Sequence, residues 1–90
     1  EYFHVTQPSD GIVNGKPDPE IYLKAIERLG LRPENCIVIE DSSNGARAGK
    51  NAGCYTIAVP SEYTYKQDFS FVDYLAVDLN DAKDHIKSLL

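Results

Sequence analysis

The sequence is short of positive charge. Nine Lys and Arg stand against fourteen Asp and Glu, a formal net charge of −5. With no Lys/Arg cluster to neutralise phosphates, neither nucleic acid nor an anionic membrane is an expected partner. No apolar run approaches the ~18 residues of a bilayer-spanning helix. No charged-then-apolar leader precedes the fold, and the first residue is Glu1 rather than Met, so the expectation is a piece cut from a longer, cytoplasmic protein. Repeats and low-complexity tracts are absent. Cysteine is scarce: Cys36 and Cys54 are the only two, and they form no C-x-x-C pair, which leaves metal binding through sulfur without support. Each stands just before a predicted strand, so two parallel strands would bring both to one sheet end. Buried free thiols are the expected state and a disulfide is the minor reading.

A 90-residue chain is long enough for one small domain. A chain of that size buries only about 60 to 65 % of its unfolded surface, which makes for marginal stability.

The organising stretch is Ile37 to Gly53, I-V-I-E-D-S-S-N-G-A-R-A-G-K-N-A-G. Ile37, Val38 and Ile39 are a β-branched run of the kind buried on both faces of a parallel sheet. Glu40 and Asp41 follow, then Ser42, Ser43, Asn44 and Gly45, then Ala46, Gly49 and Ala52 at three-residue spacing. The pattern predicts a strand, an acidic turn and a helix. Ligands of open α/β sheets bind beyond the carboxyl ends of the strands, which is where this turn falls. Adjacent carboxylates there repel each other and lose water, a cost that a hard divalent cation removes. They also suit the first turn of a helix through its dipole, and the residues alone leave both readings open. The small side chains of Gly45, Gly49 and Ala52 are expected to let the helix lie close to the sheet.

The second informative stretch is Gly15-Lys16-Pro17-Asp18-Pro19. Pro17 keeps Lys16 out of the helical region, and Asp18 followed by Pro19 predicts an N-cap with Pro at the first helical position. Ile21, Tyr22, Ala25, Ile26 and Leu29 follow the helical period, with Gly30 as a left-handed cap and Leu31 folding back on Ile26. By itself Lys16 reads as a solvated loop lysine.

Two motifs in this order carry a resemblance. E-D-S-x-x-G-x-x-A-x-x-A-G resembles the fourth motif of the haloacid dehalogenase superfamily, with Gly49 where Ala is usual, and G-K-P-x-P-x-x-[YF] resembles its third. The spacing is similar to that of the β-phosphoglucomutase-like phosphatases. The resemblance covers at least Phe3 to Pro60. It implies that Asp41 is a direct Mg²⁺ ligand and that Glu40 is either a ligand or the holder of a metal-bound water. Lys16 then offsets charge on the attacked phosphate, and Ser42, Asn44 and Gly45 support the phosphate loop.

The remaining chain predicts a strand at Tyr2 to Thr6 containing His4, and a turn at Gln7 to Gly11. A further strand is expected at Tyr55 to Val59 and a loop at Pro60 to Gln67, anchored by Phe69, Phe71 and Val72. A short strand at Tyr74 to Val77 and a last helix capped by Asn80, with Ala82, Ile86, Leu89 and Leu90 on one face, complete the chain. The fold class is α/β, a partial Rossmann-like three-layer sandwich with parallel strands, spanning residues 1–90 as the C-terminal part of a larger core.

The family's D-x-D-G-[TV] nucleophile motif is not found. The one Asp-Gly pair, Asp10-Gly11, lacks the second Asp and a preceding apolar strand. The Ser or Thr of the second motif is missing too. The resemblance places the nucleophile strand between the strand ending at Glu40-Asp41 and the one at Tyr2 to Thr6, so a gap is expected between those two. What it implies is part of a Mg²⁺-dependent phosphatase acting on a small phosphorylated metabolite through an aspartyl phosphate. The aspartate would come from the missing N-terminal part of the same protein. A mutase or a dehalogenase of the same fold are alternatives, as is a non-catalytic module that binds a partner through Tyr63 to Phe71.

Overall fold

The computed structural model describes residues 3–4 and 16–90. The elements are β1 (Phe3–His4), α1 (Glu20–Leu29), β2 (Cys36–Glu40), α2 (Ser43–Asn51), β3 (Tyr55–Ala58), β4 (Tyr74–Leu75) and α3 (Leu79–Leu89). The remainder of the predicted Tyr2 to Thr6 strand, the turn at Gln7 to Gly11 with its Asp10-Gly11 pair, and Gly15 lie outside the described residues, as does the His4 side chain.

The four strands form one parallel sheet in the order β1-β2-β3-β4. β2 and β3 are its longest pairing, with Ile37 opposite Tyr55 and Glu40 opposite Ala58. Side chains of a strand alternate between faces, and here both faces are covered. Cys36 and Val38 pack with Ile21, Tyr22, Ala25 and Ile26 of α1, with Ala48 of α2 and with Ala52 at its C-cap. Ile37 and Ile57 pack on the opposite side with Ala82, Ile86 and Leu89 of α3. Helices therefore flank the sheet on both sides, the three-layer arrangement that the unbroken β-branched run at Ile37 to Ile39 demands.

β1 corrects one expectation. It pairs directly with β2, Phe3 opposite Cys36 and His4 opposite Ile37, with no gap between them. A bare β2 edge would leave backbone amides and carbonyls without partners, and β1 takes them up.

Local signals account for the element ends. Gly30 adopts φ 68°, and the Leu31 amide donates to the Ile26 carbonyl at 3.1 Å as Leu31 folds onto the core. Gly53, at φ 90°, ends α2 in the same left-handed region. The start of α1 falls one residue later than expected: Pro19 is the N-cap, and the Asp18 carboxylate accepts from the Glu20 amide at 2.9 Å. The last helix is capped by Asp78 and not by Asn80. Its side chain accepts from the Asp81 amide at 2.8 Å, and Asn80 already lies inside the helix. Cys36 and Cys54 are free and buried in the core beneath α1 and α2.

Candidate functional site

Both motif stretches meet at the carboxyl end of β2. Lys16 Nζ donates to Glu40 Oε2 at 2.8 Å across 24 residues of sequence. The Lys16 loop is fastened from behind, where Asn51 Nδ2 at the end of α2 donates to the Pro17 carbonyl at 3.2 Å. The Lys16-Pro17 peptide is cis. Tyr22, on the buried face of α1, donates its hydroxyl to the same Glu40 oxygen. The Lys16 ammonium lies 5.7 Å from the Tyr22 ring centroid, within cation–π range. Only 10 % of the Glu40 side chain is exposed. A carboxylate so enclosed needs a cation and hydrogen bonds, and these two residues provide them.

The other Glu40 oxygen lies over Gly45, where an added Cβ would stand 2.1 Å away. Gly45 thus admits the Glu40 carboxylate, whereas the sequence pattern suggested helix-on-sheet packing. That packing role belongs to Gly49, whose Cβ would come within 2.9 Å of Thr56 Oγ1 and Val38 Cγ1. Ser42 is the N-cap of α2, its hydroxyl accepting from the Gly45 amide at 3.1 Å. Asn44 is exposed on the first turn of α2.

Asp41 differs from its neighbour in exposure and in partners. It is exposed, and among the described residues its carboxylate has no hydrogen-bond or ion-pair partner. A cavity of about 420 Å³ opens beside it, lined by Ile39, Glu40, Val59, Ser61 and Leu79 among others. Among the described residues no group of three or more His, Cys, Asp or Glu is gathered to hold a metal ion. Mg²⁺ asks for less. It keeps several waters and takes one or two carboxylates, so the open carboxylate of Asp41 fits it as a partial donor set. Glu40 is less free, because one of its oxygens is already shared by Lys16 and Tyr22.

Four contributors were not legible in advance as partners of this turn. Tyr22 fills the [YF] position of the Lys16 motif, where Phe serves as well, and has the signature of a core residue at helical spacing, and Asn51 sits at a slot of the helix motif that tolerates any residue. Thr64 and Gln67 lie in a polar loop, yet Thr64 Oγ1 donates to the Asp41 carbonyl and Gln67 Oε1 accepts from the Ser43 amide. The same loop buries Phe69 against Ala46 and Ala58, with Phe71 and Val72 beside it, as its aromatic content suggested.

Residues 1–53 match the family of haloacid dehalogenase-like hydrolases. The chain belongs to that family. It is similar to the protein CbbY of Rhodobacter capsulatus, 39 % identical over 82 residues, covering 91 % of this chain and 36 % of that protein. The phosphorylated carbohydrates phosphatase of Thermotoga maritima is 53 % identical over 53 residues, 59 % of this chain and 24 % of the phosphatase. Crystal structures of CbbY from Rhodobacter sphaeroides, one in complex with phosphate and one of a mutant in complex with xylulose-(1,5)bisphosphate, superpose with a TM-score of 0.71 at 41 % identity. They cover 73 % of this chain and 29 % of CbbY. The chain thus spans about a third of its CbbY relative from Rhodobacter capsulatus, 36 %. Among the described residues no helix is long and apolar enough to cross a membrane.

Proposed function

We propose that this chain supplies the cation and carboxylate half of the active site of a Mg²⁺-dependent phosphatase acting on a small phosphorylated metabolite. The observation that carries the reading is the 2.8 Å pairing of Lys16 with Glu40, beside the open carboxylate of Asp41. Two stretches with no local reason to meet converge where an α/β sheet binds ligands. In this reading Asp41 holds the metal, and Glu40 holds Lys16 in place or steadies a metal-bound water. The Lys16 ammonium offsets negative charge shared between nucleophile and phosphate. Bound Mg²⁺ supplies Lewis-acid polarisation of the phosphoryl oxygens. The phosphoryl group passes to an aspartate that this sequence does not supply, and then to water. The kinship with a phosphorylated carbohydrates phosphatase and with a phosphate-binding CbbY supports a phosphate ester as substrate.

The test uses the natural protein that carries this sequence. Asp41→Ala abolishes Mg²⁺-dependent turnover of p-nitrophenyl phosphate, and Glu40→Ala raises the magnesium concentration needed for half-maximal rate. Full activity of Asp41→Ala at low magnesium overturns the metal assignment. The 90-residue chain alone shows no turnover, because positioning an in-line nucleophile accounts for much of the lowering of the barrier.

A further inference from the structure

The turn that carries Asp41 is held largely by a segment that belongs to neither motif. The Glu40 carbonyl accepts from the Val59 amide at 2.8 Å, where β2 runs beside the end of β3. The Asp41 carbonyl accepts from Thr64 Oγ1 at 2.5 Å. Two residues on, the Ser43 amide donates to Gln67 Oε1 at 2.8 Å and the Ser43 hydroxyl donates to the Asp68 carbonyl at 2.7 Å. Within the turn Ser42 supplies further ties to the start of α2, its hydroxyl accepting from the Gly45 amide at 3.1 Å and its carbonyl from the Ala46 amide at 2.9 Å. So the backbone on both sides of Asp41 is pinned from residues 59–68.

The Thr64 hydroxyl is prepared for this contact. It accepts from the Ser61 amide at 2.8 Å and lies 3.1 Å from Ser61 Oγ, whose own proton can fill its second lone pair, so its single proton is directed to the much closer Asp41 carbonyl. The Thr64 and Tyr65 amides donate to the Ser61 carbonyl at 3.2 and 3.0 Å, and the Gln67 amide donates to the Thr64 carbonyl at 2.9 Å. These bonds make Ser61 to Gln67 a closed turn with Thr64 at its centre, and Phe69 buried beneath α2 anchors its far end.

We propose that Thr64 is a positioning residue for Asp41. Its hydroxyl fixes the Asp41 carbonyl and so restricts the direction in which the Asp41 carboxylate presents itself to a divalent cation. The inference rests on the reading of Asp41 as the Mg²⁺ ligand. Asp41 otherwise hangs from an exposed turn with no partner for its carboxylate among the described residues, so its orientation is set by backbone anchors. Outer partners that orient a ligand commonly change metal affinity without touching the metal.

The experiment measures Mg²⁺ binding by calorimetry and by the amide shifts of Asp41 and Ser42. It compares the natural protein with Thr64→Val, which keeps the shape and loses the hydroxyl, and with Thr64→Ser, which keeps the hydroxyl. The expected result is a three- to ten-fold weaker dissociation constant in Thr64→Val, roughly the effect of one ordinary hydrogen bond, and recovery to within about two-fold of the natural protein in Thr64→Ser. Gln67→Ala, which frees the Ser43 amide, shifts affinity in the same direction and serves where Thr64→Val fails to fold. Unchanged affinity in Thr64→Val, or equal losses in Thr64→Val and Thr64→Ser, overturns the proposal. If the natural protein shows no magnesium response at Asp41, the metal assignment has failed instead. Amide hydrogen exchange then decides about Thr64 alone: faster exchange at Ser42 and Ser43 in Thr64→Val upholds its hold on the turn, and unchanged exchange refutes it.

Discussion

A methyl group at Gly45 collides with Glu40, since an ideal Cβ there lies 2.1 Å from Oε1 and 2.5 Å from the carboxyl carbon. A glutamate tip ordinarily swings aside, but this one is pinned by Lys16 and Tyr22. The helix motif and the acidic pair are therefore one device: the glycine on α2 makes the pocket in which the β2 carboxylate meets its cation.

Gly45→Ala tests this by its sign. In a helix, Ala in place of Gly ordinarily stabilises by about 0.5–1 kcal/mol. Here the displaced carboxylate should reverse that, giving a net loss of about 1–2 kcal/mol in urea unfolding, in the range of small-to-large strain. In a Glu40→Ala background the same substitution should become stabilising. Gly49→Ala should destabilise in both backgrounds, because its neighbours are the Thr56 and Val38 side chains in the core. The same sign for Gly45→Ala in both backgrounds refutes the steric account.

Steady-state kinetics separates Lys16 from its support. Lys16→Ala should lower kcat by about 10²-fold with a smaller change in KM, as expected for a charge that counts most in the transition state. Tyr22→Phe removes one bond to Glu40 and keeps the ring, so kcat/KM should fall by only about two- to ten-fold. An unchanged kcat in Lys16→Ala would return that residue to the status of an ordinary loop lysine.

Acid should loosen the joint between β4 and α3. Asp81 accepts from the Val77 amide at 2.9 Å and from the Tyr74 hydroxyl at 2.7 Å, and those bonds hold its carboxyl below the usual carboxylate range. A depressed folded value means that the stabilisation is complete above the unfolded pKa of about 3.9 and disappears as pH falls through the folded value. Asp81→Asn has one acceptor oxygen for two donors, so its melting temperature should lie below that of the natural chain at pH 7. The difference should narrow as pH falls below the unfolded value of about 3.9 and close once the carboxyl is protonated in the fold as well. A difference that persists unchanged to low pH would show that the ionised carboxylate is not what stabilises this joint.

The two cysteines should be silent until the chain unfolds. Burial, then the proximity of Cys36, push the Cys54 thiol up to about 11 against the lowering effect of Lys50, and burial followed by the charge of Glu34 raises Cys36. A raised thiol favours the neutral form in the fold, so this contribution is complete below the unfolded pKa of about 8.5 and is lost as pH climbs towards the folded value. A colorimetric thiol reagent at pH 8 should find no rapidly reacting group in the native chain and both after addition of denaturant. A fast-reacting thiol in the native chain would contradict this burial.

What the amino-acid sequence determined by itself is local: the helical period from Ile21 to Leu29, the left-handed glycine ends at Gly30 and Gly53, and the doubly buried strand at Ile37 to Ile39 followed by Glu40 and Asp41. These follow from side-chain period and backbone sterics, which act within a few residues. The choice of helix cap was less legible: Asp78 and Asn80 are both good caps, and the geometry of the β4 exit selects the first. Only the tertiary structure decided which partners reach the acidic turn. Tyr22 carries the same spacing whether it merely fills the core or holds Glu40. Thr64 looks like any polar loop residue until β3 delivers its loop to the Asp41 carbonyl. Such contacts join residues more than fifteen positions apart, 18 and 23 respectively, and no local propensity encodes them. They exist because parallel pairing of β2 with β3 brings the carboxyl ends of both strands, and the loops that leave them, to the same edge of the sheet.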